Sequence, residues 1–104
     1  PAMLTQIVRQ VNDPRIRMCL DVGHVNAYSK IPVMEWLEQC ADITEHFHIH
    51  NNDNSRDAHG QLMDGTIPMK ELLAAIEEKY PNATLTLELM NAEPSVRWLL
   101  EEQL

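Results

Sequence analysis

No stretch of about 18 consecutive apolar residues occurs in the chain, which argues against a membrane-spanning helix of ordinary length. The first residues, PAMLTQIVRQ, also lack the charged-then-apolar layout of a secretory signal. Cations are scarce: 8 Lys and Arg stand against 16 Asp and Glu, a formal net charge of -8 at pH 7. No basic stripe compensates locally, so nucleic acid and anionic membrane surfaces are poor partners. There are only two cysteines, Cys19 and Cys40, both in apolar segments and without CxxC spacing. That pattern argues for buried reduced thiols rather than a disulfide framework or a zinc knuckle, and a reducing, cytoplasmic setting is the expectation. With 104 residues, 44% of them hydrophobic, there is room for one domain with a modest core.

What is present is an alternation of helical and strand-like patterns. Leu4, Ile7, Val8 and Val11 share a helical face that ends by the Asp13-Pro14 turn. The run from Ile16 to Val22 predicts a strand, followed by a loop containing Gly23 and a helix from about Pro32 with Val33, Trp36, Leu37 and Cys40 on one side. Glu45 to Asn51 predicts the second strand, and a long polar loop, NDNSRDAHGQLMDGT, leads to a helix at Pro68 with Met69, Leu72, Leu73 and Ile76 on one face. Thr84 to Met90 predicts the third strand, and Pro94 starts a last helix carrying Val96, Leu99 and Leu100. The order α-β-α-β-α-β-α calls for parallel crossovers and an α/β sheet covered by helices.

The strands discriminate between α/β architectures. One parity is apolar: Ile16, Met18 and Leu20, then Phe47 and Ile49, then Leu85, Leu87 and Leu89. The other is polar or small: Arg17, Cys19 and Asp21, then His46, His48 and His50, then Thr84, Thr86 and Glu88. Strands of an open doubly wound sheet are buried on both faces and read as continuous apolar runs, so the polar parity faces something wet or ionic, and a barrel interior fits. The expected fold is therefore α/β, part of a (β/α)₈ TIM barrel with about three parallel strands and four helices. A complete barrel takes about 250 residues, so three strands leave two open edges, and the chain is expected to associate with copies of itself or with a missing part of a longer protein.

Each polar face ends, on the C-terminal side of its strand, in a side chain that can ligate a metal: Asp21, His50 and Glu88. That is the edge of a barrel where functional residues converge, and two carboxylates with an imidazole suit Mn²⁺, Co²⁺, Mg²⁺ or Zn²⁺. His24, three residues after Asp21, can swing over the strand end toward a second metal or a substrate hydroxyl. His46 and His48 lie about 7 Å apart per two-residue step on the strand and are expected to be interior hydrogen-bonding residues, with only His50 at the rim. In the polar loop, Asp57 and His59 can coordinate together or anchor the loop, and Arg56 can clamp a hydroxyl or carboxylate. The Met residues, Trp36 and Trp98 are expected in the core.

The segments LDVGH, FHIHNNDNSRDAHG, DGTIPMKELL and LTLEL together resemble the xylose isomerase-like barrels, which include sugar and sugar-phosphate isomerases and epimerases and endonuclease IV-type repair enzymes. The resemblance implies that these are strands six, seven and eight, that residues 1–104 form the C-terminal part of the barrel, and that the family's strand-five Glu lies outside the chain. It implies Asp21, His50 and Glu88 as metal ligands, Glu88 also as the proton-transfer base, and His24 and Arg56 as substrate-binding residues, His24 close to the chemistry. The activity implied is isomerisation or epimerisation of a small sugar or sugar phosphate through an enediolate. The endonuclease-type members add a D-x-H pair, matched by Asp57 and His59, which implies a multinuclear zinc site as the alternative. Here M-D-G (Met63-Asp64-Gly65) stands where those members carry G-x-G. A non-catalytic metal-binding fragment is the third reading.

Overall fold

The computed structural model describes residues 1–104 and contains three strands and five helices. In chain order these are α1 (Ala2–Val11), β1 (Met18–Asp21), α2 (Val22–Tyr28), α3 (Val33–Gln39), β2 (Thr44–Ile49), α4 (Met69–Lys79), β3 (Thr84–Leu87) and α5 (Glu93–Glu101). The strands form one parallel sheet in the order β1-β2-β3. This is the α/β arrangement of a partial TIM barrel. No helix is long and apolar enough to cross a membrane.

One helix is more than the sequence predicts. The segment around Gly23, expected as a loop, is α2, because Asp21 caps it: the Asp21 Oδ1 accepts from the His24 amide at 2.8 Å. The strands are also shorter than their apolar runs. Ile16 is exposed ahead of β1, and the ladder stops at Leu87, although the Glu88 amide still donates to Ile49 O at 3.1 Å.

The core lies on the outer face of the sheet, under α2, α3 and α4. Leu20, Phe47 and Ile49 point into it and meet Val22, Val25, Leu37, Leu72 and Ile76. β2 is the central strand, and its Phe47 is fully buried, edge-on to Tyr80 with ring centroids 5.0 Å apart. Burial raises the pKa of the Tyr80 hydroxyl, which donates to Leu37 O and ties α4 to α3. Cys40 is buried as expected, whereas Cys19 is exposed, because alternation in β1 puts it on the polar inner face opposite His46.

The flanks are less covered than the patterns predict. On α1, Leu4, Ile7 and Val11 are all exposed, and on α5 Leu99 packs against the core with Trp98 while Val96 and Leu100 do not. On β3, Leu85 is exposed. These apolar residues therefore stay open to solvent, and the three-stranded sheet keeps two unpaired edges.

The register of β1 against β2 contains one irregularity. Met18 pairs with Thr44 but Cys19 pairs with His46, so Glu45 is the extra residue. Beyond it Leu20 faces Phe47 and Asp21 faces His48; on the other side His46 faces Thr84 and His48 faces Thr86. The polar residues of three strands are thereby gathered on one face.

Phe47→Ala removes the largest fully buried side chain. The expected loss is about 3–5 kcal/mol, measured as a fall in the urea midpoint with unchanged slope. A loss under 1 kcal/mol would mean that the core is not centred on β2.

Candidate metal centre

The C-terminal ends of the three strands bring Asp21, His50 and Glu88 together, each just at or beyond the end of its strand. His50 is fully buried, and its Nε2 lies 2.7 Å from Asp21 Oδ1 and 3.9 Å from Glu88 Oε2. His48, expected in the interior, also reaches this group: its Nδ1 stands 3.2 Å from Glu88 Oε1 and 3.8 Å from Asp21 Oδ2. The donor atoms of Asp21, His48 and Glu88 all fall within 4.8 Å of one another. Strand stagger explains the difference, since Asp21 pairs in register with His48 and not with His50. His46 keeps its interior role, with Nδ1 2.6 Å from Thr84 Oγ1 and Nε2 3.1 Å from Thr86 Oγ1.

A second cluster lies on the other side of the His50 ring. Asp57 Oδ2 is 3.0 Å from His24 Nε2 and 3.3 Å from His59 Nε2, and the donor atoms of His24, His50, Asp57 and His59 all lie within 4.8 Å of one another. The His59 ring stacks on His50, 4.0 Å between centroids and 1° from parallel, and its Nδ1 bonds to Glu88 O at 2.9 Å. That bond, which a proton on Nδ1 supplies, raises the His59 pKa against the opposing effect of desolvation. Arg56 stands at an exposed part of the same loop and joins neither cluster; its charge helps to lower the pKa of Asp53, behind the hydrogen bonds from Ser55.

The donor set fits a divalent cation. As a ligand beside Asp21 and Glu88, His50 would offer Nε2, the nitrogen that faces both; the tautomer that instead donates from Nε2 to Asp21 leaves a lone pair on Nδ1. That atom is buried without a partner, as is Asp57 Oδ1 at 3.8 Å, and Asp21 Oδ2 is a third buried atom with no partner. Buried acceptors facing one another without a donor cost about 1–3 kcal/mol each, and a cation supplies the positive charge they lack. Carboxylate oxygens and imidazole nitrogens, with no thiolate among them, match Mn²⁺, Co²⁺, Mg²⁺ and Zn²⁺.

Backbone close to His50 is part of the site. A Cβ added to Gly23 would lie 2.0 Å from His50 Cε1, so the ring occupies the space that glycine leaves on α2. Loop position rests on two buried asparagines that the sequence shows only as turn-forming residues. Asn51 donates to Leu62 O at 2.9 Å and accepts from the Ile67 amide at 3.1 Å, while Asn52 donates to Gly23 O at 2.9 Å. Two adjacent asparagines at the end of a strand carry no periodic signal; their burial is visible only in the folded chain.

Burial pushes the Asp21 carboxyl up, but the hydrogen bonds from His50 and the His24 amide, with the nearby imidazoles, outweigh it and hold its pKa below the ordinary value. A carboxyl lowered on folding stabilises above its unfolded pKa of about 4, and that stability is lost as pH falls through the lowered folded value. Melting curves between about pH 6 and pH 2 should show wild type above Asp21→Asn at neutral pH and the gap closing in acid; a gap that is constant with pH would contradict the assignment. Gly23→Ala, by displacing the His50 ring, should weaken zinc affinity in calorimetry by about 10–100-fold, whereas unchanged affinity would remove His50 from the centre.

Comparison with known proteins agrees with this architecture. Residues 1–103 match the family described as xylose isomerase-like TIM barrel. An uncharacterized protein of Methanocaldococcus jannaschii is 26% identical over 98 residues, covering 93% of this chain and 33% of its own length. A crystal structure of a D-tagatose 3-epimerase-like protein superposes with a TM-score of 0.78 at 25% identity, over 95% of this chain and 38% of that one. The chain thus spans 33% and 38% of the lengths of these two proteins. With the inner polar face, the parallel sheet and this match in agreement, the chain belongs to the xylose isomerase-like TIM barrel family.

Proposed function

We propose that residues 1–104 are the C-terminal part of a barrel that acts as a metal-dependent isomerase or epimerase on a keto-sugar or sugar phosphate. The observation that carries this reading is the convergence of Asp21, His48, His50 and Glu88 at the C-terminal ends of three adjacent parallel strands. The likeness to the D-tagatose 3-epimerase-like protein supports the same reaction class.

Asp21, His50 and Glu88 hold the cation in this reading, and Mn²⁺, Co²⁺, Mg²⁺ or Zn²⁺ satisfies the donor set. When bound, the cation supplies Lewis-acid polarisation of a substrate carbonyl, which acidifies the neighbouring C–H. Glu88 is a third exposed, and with His48 against one oxygen its carboxylate is oriented as the base that takes this proton. The resulting enediolate is reprotonated on the same or the opposite face; return from the opposite face needs a second acid outside this chain. His24, half exposed beside Asp21, meets a substrate hydroxyl near the reacting carbons, and Arg56 on the loop orients the substrate. The isolated chain is expected to be inactive, and either the remainder of the barrel or a second copy covers α1 and the sheet edges. A small neutral or phosphorylated sugar suits the acidic chain better than nucleic acid or a membrane surface.

The trio His24, Asp57 and His59 favours a second reading, a zinc phosphodiesterase of the endonuclease IV type that places a further ion beside the first.

Metal content of untagged protein, measured by inductively coupled plasma mass spectrometry, separates the two. The sugar reading expects about one ion per chain, lost in His50→Ala or Glu88→Gln and kept in Asp57→Ala. More than one ion, partly zinc and lowered by Asp57→Ala, supports the phosphodiesterase, and no ion after dialysis against any of the four metals means that the strand-five Glu outside this chain is required or that the metal reading is wrong.

A further inference from the structure

His24 and Asp57 meet at 3.0 Å, yet they belong to segments that no β-ladder joins. His24 rides on α2, a helix of only seven residues, while Asp57 and His59 sit in the loop after β2, where Asn54 and His59 take left-handed backbone angles. The geometry points to Asn52 as the positioning residue that holds His24 against Asp57.

Asn52 is 2% exposed and uses both ends of its side chain. Toward α2, its Nδ2 donates to Gly23 O at 2.9 Å and its Oδ1 accepts from Asn26 Nδ2 at 2.7 Å. Toward the loop, the same Oδ1 accepts from the Asn54 amide at 2.9 Å, and the Asn52 carbonyl accepts from the Thr66 amide at 2.7 Å. Gly23 immediately precedes His24, and Asn54 starts the turn that leads to Asp57, so the clamp grips both segments within a few residues of the pair it aligns.

The demand at this position is chemical. Gly23 O receives a donor beyond its place in the helix ladder, the Asn54 backbone amide and the Asn26 side-chain amide find an acceptor, and one short carboxamide supplies both. Aspartate keeps the shape but loses the donor, and alanine loses both. Asn51 does different work: it holds Leu62 and Ile67 at the far end of the loop and has no hydrogen bond to α2. Its loss would loosen the loop without releasing α2.

The importance of the clamp for catalysis or metal binding rests on the reading of His24 and Asp57 as parts of the site; the clamp itself does not. The His24 and His59 rings, 6.2 Å apart between centroids, report on the alignment. A nuclear Overhauser cross-peak between these two rings should be present in wild type and in Thr66→Val, and lost in Asn52→Asp and Asn52→Ala, with the far-UV circular dichroism unchanged. Should Asn52→Ala fail to fold, Asn26→Ala removes the α2 side chain that bonds to Asn52 and to Thr66 Oγ1, leaves the Asn52 bond to Gly23 O in place, and should weaken the same cross-peak. Retention of the cross-peak in Asn52→Asp and in Asn26→Ala overturns the proposal. A Co²⁺ titration then tests the reading separately: at least tenfold weaker binding in Asn52→Asp ties the clamp to the cation, whereas a lost cross-peak with unchanged binding supports the clamp and counts against a ligand role for His24 and Asp57.

Discussion

The short contact between the buried imidazole of His50 and the carboxylate of Asp21 is the constraint around which the rest is arranged. A fully buried imidazole with a polar partner on only one side is tolerable if the other side is also provided for, and the chain surrounds His50 accordingly. Gly23 leaves room for its ring, His59 stacks on it, and Asp57 faces its remaining nitrogen. Asp21 is equally committed, because the oxygen that meets His50 also caps α2. One carboxylate therefore fixes the start of a helix, the orientation of an imidazole and one side of the candidate metal centre.

These demands pull against stability in a small domain. Several acceptors share a volume with few donors, which raises the cost of the folded state unless positive charge enters it. The core on the opposite face of the sheet offsets part of that cost, with Phe47 and Ile49 of β2 buried completely. The polar and apolar halves are thus two sides of the same three strands, and the alternation of side chains along each strand is what keeps them apart.

Much of this was legible in the sequence. Period-two alternation revealed both the strands and their wet face, and the coincidence of Asp21, His50 and Glu88 at strand ends marked three side chains that the fold brings together. What escaped has identifiable causes. α2 is hidden because Gly23 breaks the helical pattern and only the folded chain shows Asp21 acting as a cap as well as a candidate ligand. Counting along β2 alone put His48 below the rim, but the stagger between neighbouring strands brings it level with Asp21. Cys19 looked like a core thiol because its neighbours are apolar, although its parity is that of the histidines. Asn51 and Asn52 lay in a segment whose composition signals a solvated turn, and only tertiary contacts show them to be buried. The apolar faces of α1 and α5 are legible as amphipathic patterns, but the exposure of Leu4, Ile7, Val11, Val96 and Leu100 is not.

The unpaired Glu45 beside the Met18-to-Cys19 step gives the segment between Cys40 and His46 an arithmetic of its own. Were Glu45 instead paired into the ladder opposite Cys19, Asp21 would come opposite Phe47 and Leu20 opposite His46, and wet side chains would be matched with oily ones across the ladder. Surface connections elsewhere in such a fold can lengthen or shorten freely, but this one counts in whole residues of fixed parity. Drawing the bulged residue into the ladder is therefore a more severe lesion than most amino-acid replacements, for it exchanges the inside and the outside of a strand at a stroke.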